Sequence, residues 1–276
     1  MTSILGYWNV ESGIIIIVGL FLLLYFKLSD LRVKKEAIFY FSGLLIMLLA
    51  ESSPLHFIGM HYLFSAHMII HVILLLICGP LLVLGIPKKK EGSRSFLYKT
   101  SLFFNYFPWM GWLAGIAMMW FWHIPAVFDA AFPEMHSSFN LISFLQTASL
   151  LLSGIFFSWP VIGPVKHLRI NPLVGVLYLF TACIGCSILG LLLTFAPAGI
   201  YTHYYLPDLY GFSKLIIDNW GISRADDQQI AGLIMWVPCC FIYLSGSMLL
   251  LYRWLNEKEE YQSWQENKLR LERDNL

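Results

Sequence analysis

Charge is what this sequence has least of. Lys, Arg, Asp and Glu make up 13% of its 276 residues, about half of the roughly 25% that wets the surface of a soluble domain. That scarcity excludes an ordinary soluble fold, and a hydrophobic share of 58% excludes a disordered chain. The 18 basic side chains nearly cancel the 17 acidic ones, leaving a formal charge of +1. The basic excess of a nucleic-acid-binding module is therefore missing, and no nucleic-acid partner is expected. Cysteine is sparse as well: five residues, an odd number, each inside an apolar run, which is not a disulfide framework. Met1 to Ser12 contains no Lys or Arg, and the apolar run after it leads into basic residues rather than a small-residue cleavage site. A removable signal peptide is not expected.

What is abundant is long apolar runs, with a mean hydropathy of +0.67. In lipid every backbone polar group must be satisfied within its own segment, so the runs are expected to be helices of about 20 residues. Seven are legible: 12–28, 37–53, 65–86, 102–122, 139–159, 173–196 and 229–252. Pro54, Pro87, Pro125, Pro160, Pro172 and Pro197 stand at or just beyond their ends, where a missing N–H does least damage, while Pro108 and Pro238 fall inside and predict kinks. The expected fold is all-α, a polytopic membrane protein with seven transmembrane helices. Residues 1–256 form one domain and 257–276 a charged cytoplasmic tail, read as a solvated helix extension.

Orientation follows from Lys and Arg. Of the 18, 16 fall on one side of the seven runs, and only Lys214 and Arg224 fall on the other. By the positive-inside bias the N-terminus is expected outside and the C-terminus in the cytoplasm. The near-neutrality is then a cancellation across the bilayer: 16 basic and 9 acidic residues inside, 2 basic and 8 acidic outside.

The eight histidines sort unevenly on that topology. His56 and His61 lie in the loop before the third run, His67 and His71 enter its outer part, His123 closes the fourth, His136 and His203 sit in outer loops, and only His167 is cytoplasmic. His67 and His71, four residues apart, project from one helical face about one turn apart, and Met119 and His123 repeat the spacing on the fourth run. Opposed across a bundle, the two faces offer three imidazoles and a thioether, a donor set suited to copper, Cu(I) above all. A lone histidine at a membrane surface more often just hydrogen-bonds to a neighbour, and a methionine in an apolar helix is core filling. The pair within a span shifts that balance, because intramembrane polar groups are costly and mark functional sites. Glu51, Asp129 and Asp227 are the outer carboxylates expected to orient the ligating rings; capping of the seventh helix is the competing role for the Asp226–Asp227 pair.

Other chemistries lack a required residue. Met68 stands where a zincin has its Glu, and the seventh run has no Lys for a retinal Schiff base. Cys183 and Cys186, and the adjacent Cys239 and Cys240, are read as small residues packing between helices.

The blocks Ser53-Pro54-Leu55, Ser65-Ala66-His67-Met68-Ile69-Ile70-His71, Pro80 to Pro87, Trp122-His123-Ile124-Pro125 through Ala131, and Asp227-Gln228-Gln229 through Trp236 resemble the motif series of the CtaG family of cytochrome c oxidase assembly factors found with caa-type oxidases. The resemblance implies a plasma-membrane protein needed to make active haem-copper oxidase, with copper delivery as its proposed task. The matching family positions are His67, His71 and His123. Expected partners are the oxidase subunits, the lipid bilayer and a copper chaperone, and no enzymatic activity is expected. The rival readings are a haem-binding membrane redox protein, with two axial histidines from different helices, and a metal or small-solute transporter, which needs a polar pathway continuing inward.

Overall fold

A computed structural model of the chain describes residues 6–28, 34–87, 96–132, 140–208 and 210–274. Among the described residues the protein is entirely helical, with no strand. The helices are α1 (Ser12–Leu28), α2 (Lys34–Ser52), α3 (Pro54–His61), α4 (Phe64–Leu84), α5 (Phe96–Tyr106), α6 (Pro108–Trp122), α7 (Pro125–Ala130), α8 (Leu141–Ile162), α9 (Pro172–Phe195) and α10 (Arg224–Asp274). His136 and the basic residues Arg32, Lys88, Lys89, Lys90 and Arg94 lie outside the described residues.

Among the described residues four helices are long and apolar enough to cross a membrane: α4, α8, α9 and the Arg224–Asn256 part of α10. A fifth span arises if α2 and α3, bent by 50° at Ser53, are taken together. The first expected run is α1, apolar but only 17 residues long. The fourth is divided: α5 ends at Tyr106 and α6 starts afresh at Pro108, whose ring removes the donor that would have continued the helix. The segment expected as a loop carrying His56 and His61 is instead helical α3, with Pro54 in its first turn. Proline also opens α6, α7 and α9, and Asn140 and Asn171 cap α8 and α9 by accepting from the first backbone N–H groups. The charged tail continues α10 without a break to Asp274.

Helix α4 is the centre of the bundle. Its Met68, Leu75 and Leu76 pack into one core with α6, α9 and α10, and its Ile70, Leu74 and Cys78 into a second with α1, α2 and α8. A helix apolar on every side is stable only in such surroundings. It crosses α8 backbone to backbone: a Cβ on Gly79 would stand 2.5 Å from the carbonyl carbon of Gly154, and one on Gly154 would meet the Leu75 carbonyl oxygen. Just beyond His71 the helix widens into a π-helical stretch, Ile73–Cys78. Pro80 has no N–H to donate to the Leu76 carbonyl, so the α-helical pattern cannot be completed there. The outward faces of the other helices are apolar and bare; Phe195 is 80% exposed and Leu23 and Phe241 are 70% exposed, as helices in contact with lipid require.

Candidate functional site

The site is built at the N-terminal end of α4. Leu63, at the cap position, supplies no capping side chain, so the first N–H groups of α4 need an acceptor from elsewhere. Asp227 in α10 supplies it, accepting from Phe64 N at 2.7 Å, Ser65 N at 3.0 Å and Ser65 Oγ at 2.5 Å. The Arg224 guanidinium donates to the Tyr62 carbonyl just before the helix. Together these contacts fix where α4 begins, and with it the depth and rotation of the two imidazoles it carries. Asp226, by contrast, caps its own helix through a reciprocal pair of bonds with Ser223.

His67 and His71 are both buried, with ring centroids 4.4 Å apart, and the His71 and His123 rings are 5.6 Å apart, edge to face. None of the four ring nitrogens of His67 and His71 makes a hydrogen bond. Gln146, in α8, lies beside His71 without completing one. Phe128 and Phe132 pack on the other side of His67, with ring centroids 5.2 and 5.3 Å away. Buried polar nitrogens without partners are rare in a finished fold and point to an absent ligand, water or ion.

His123 follows the last turn of α6. Its Nδ1–H donates to the Met119 carbonyl at 2.5 Å, which leaves Nε2 of the neutral ring with a free lone pair. That nitrogen stands 3.0 Å from Met68 Sδ. A thioether has no proton to give, so two acceptors face each other, an arrangement that a shared cation would favour. Met68 is therefore the thioether at the imidazoles; Met119 Sδ turns the other way, 3.8 Å from Cys186 Sγ. The i, i+4 pairs passed over Met68, which stands next to His67 but only three residues before His71 and so borders the same face.

A polar pocket opens beside His67 and His71, lined also by Glu51, His56, Gln146 and Thr147. Thr147 Oγ1 donates to Glu51 Oε1 at 3.2 Å, and His56 bridges outward from Glu51 Oε2 (3.2 Å) to Glu11 Oε1 (3.6 Å). The neighbouring His56 holds the Glu11 carboxyl below its ordinary range. Asp129, on α7, does not reach the imidazoles: it accepts from Thr202 N, Thr202 Oγ1 and His203 N. In doing so it ties down the loop that covers the site, from which Tyr201 donates to the His123 carbonyl at 2.9 Å, Tyr204 to Gly59 and His203 Nε2 to Met60.

The three histidines singled out by spacing are thus neighbours, Glu51 shares their pocket, and Asp129 and Asp227 position backbone instead. Their donor atoms do not converge on one point: among the described residues no group of three or more His, Cys, Asp or Glu is arranged to hold a metal ion. A family model for the cytochrome c oxidase caa3 assembly factor, Caa3_CtaG, matches residues 19–257. No curated protein and no solved structure matches the chain.

Proposed function

The chain belongs to the Caa3_CtaG family of cytochrome c oxidase caa3 assembly factors, and from that premise we propose that it serves oxidase assembly by holding copper in transit at His67, His71, His123 and Met68. The observation that carries this reading is the set of bare donors: four unpartnered nitrogens on His67 and His71, and the His123 lone pair facing the Met68 sulfur. Neutral imidazole and thioether are soft donors that suit Cu(I) and do not suit magnesium or calcium. Copper here is cargo. The chain contributes binding, a fixed His123 tautomer through Met119, and a polar wall through Glu51 and Gln146.

The proposal includes the seven-span topology, N-terminus outside and C-terminus in the plasma-membrane cytoplasm, with α1 and the α5–α6 pair as the remaining crossings. The site then faces the outer side, near the acidic loops, and a copper donor would reach it from there before an oxidase subunit. A haem is disfavoured by the Phe128 and Phe132 rings against His67 and by the edge-to-face packing of His71 on His123. A transporter is disfavoured because α4 below His71 continues with buried Leu74, Leu75 and Leu76.

Anaerobic purification, Cu(I) loading, metal analysis and X-ray absorption test the reading. Wild type is expected to hold copper with nitrogen donors, and His71→Ala to lose that copper. Nitrogen-bound copper absent from wild type, or unchanged in His71→Ala, refutes it.

A further inference from the structure

Four of the five cysteines meet between α9 and α10. The two helices approach closely, a Cβ on Gly190 standing 2.8 Å from the Gly232 carbonyl oxygen, and this brings the thiols into two cross-helix pairs. Cys183 Sγ lies 3.0 Å from Cys240 Sγ, and the Cys186 thiol neighbours that of Cys239. A fifth sulfur arrives from α6, Met119 Sδ, 3.8 Å from Cys186 Sγ. The Tyr243 hydroxyl is 3.5 Å from Cys186 Sγ, and the Ser187 hydroxyl 3.2 Å from Cys240 Sγ. Cys186, Cys239 and Met119 are each at most 2% exposed, and all the cysteines are free.

Packing alone does not account for this. The glycines already allow the helices to touch, and any small apolar residue would have filled the remaining space. Instead five sulfurs from three helices face one another in an apolar interior, with two hydroxyls turned toward them. Thiolate and thioether select Cu(I). One thiolate, one thioether and one Cu(I) also sum to zero charge, which matters where an unbalanced charge is expensive.

We propose that Cys186 and Met119, with Cys239 beside them, form a second Cu(I) site, one helical turn deeper than His123. Cu(I) displaces the Cys186 thiol proton: the S–H bond breaks, a Cu–S bond forms, the proton passes to solvent, and nothing is oxidised or reduced. The Tyr243 hydroxyl then donates to the thiolate. Met119 joins the two sites physically, its carbonyl holding His123 and its sulfur facing Cys186. This site goes beyond the imidazole reading and does not depend on it.

The full chain in detergent, loaded anaerobically with Cu(I) against a competing chelator and followed by metal analysis and X-ray absorption, tests the proposal. Wild type is expected to show copper bound by two or more sulfurs. Cys186→Ser/Cys239→Ser should lose that copper and keep the nitrogen-bound copper, and His67→Ala/His71→Ala should do the reverse. If the imidazole reading alone fails, the histidine variant leaves the copper content unchanged while the cysteine variant still loses its share. Wild-type sulfur scattering in the cysteine variant, or its absence from wild type, overturns the proposal. Should the cysteine variant fail to fold, Met119→Leu preserves volume and should weaken the sulfur-bound copper by about tenfold or more; unchanged affinity overturns the proposal equally.

Discussion

Removing the carboxylate of Asp227 should undo the start of α4. The side chain is 2% exposed and accepts from two backbone N–H groups and one hydroxyl. In Asp227→Ala the Ser65 hydroxyl can rotate to a new acceptor, but the Phe64 and Ser65 N–H groups cannot. Each buried, unsatisfied donor costs about 1–3 kcal/mol, which sets the loss at roughly 2–6 kcal/mol. Asp227→Asn keeps one carbonyl oxygen to accept and turns an amide NH2 toward the remaining donor, so it should lose about half as much. Asp226→Ala is the control. Its carboxylate caps α10 at the exposed surface, and an exposed cap is worth about 1 kcal/mol. Apparent melting of the three variants in one detergent, with wild type alongside, ranks them. The reasoning is refuted if Asp227→Ala melts with wild type, or if Asp226→Ala is the more damaging.

Other outcomes follow from the same contacts. Gly154→Ala places a methyl group against the Leu75 carbonyl and should cost about 1–3 kcal/mol by forcing α4 and α8 apart, read as a lower melting temperature. Tyr201→Phe strands the buried His123 carbonyl and should cost about 1–3 kcal/mol; hydrogen exchange should show the 201–205 loop opening more often. Burial raises the Asp208 pKa, but hydrogen bonds from Tyr62, Ser213 and Gly211 outweigh it and hold the carboxyl well below the ordinary range. Its contribution is therefore complete above the unfolded value of about 4 and is lost as pH falls through the lower folded value. Protection of the Gly211 and Ser213 amides should stay level from neutral pH to about pH 4 and fall only in stronger acid; Asp208→Asn should remove that acid dependence.

The helical face carrying His67 and His71 was legible because a spacing of four residues has one meaning in a helix. His123 entered through its position at the end of an apolar run and through its i, i+4 partner. That partner misdirects: Met119 and His123 share a face, yet the Met119 carbonyl takes the ring proton of His123 and the Met119 sulfur goes to Cys186. Asp227 looked like a cap for its own helix or a support for a ligand, and it caps α4 instead, a bond spanning more than 160 residues of sequence. Helix α3 was hidden for a simpler reason, since eight residues beginning with Pro-Leu-His look as much like a polar turn as a helix.

Composition and periodicity by themselves determined that this chain is helical, apolar on its outer faces and polar at one end, because lipid leaves a backbone few other choices and charge few places to sit. Only the tertiary structure decided which donors meet. The backbone contacts Gly79–Gly154 and Gly190–Gly232 set how closely the helices approach and at what rotation. Helix packing also brought the Met68 sulfur to His123, left the nitrogens of His67 and His71 without partners, and gathered four scattered cysteines between α9 and α10, with Met119 beside Cys186. Spacing along one helix specifies a face; which faces oppose one another is settled by packing between helices, and no local pattern records it.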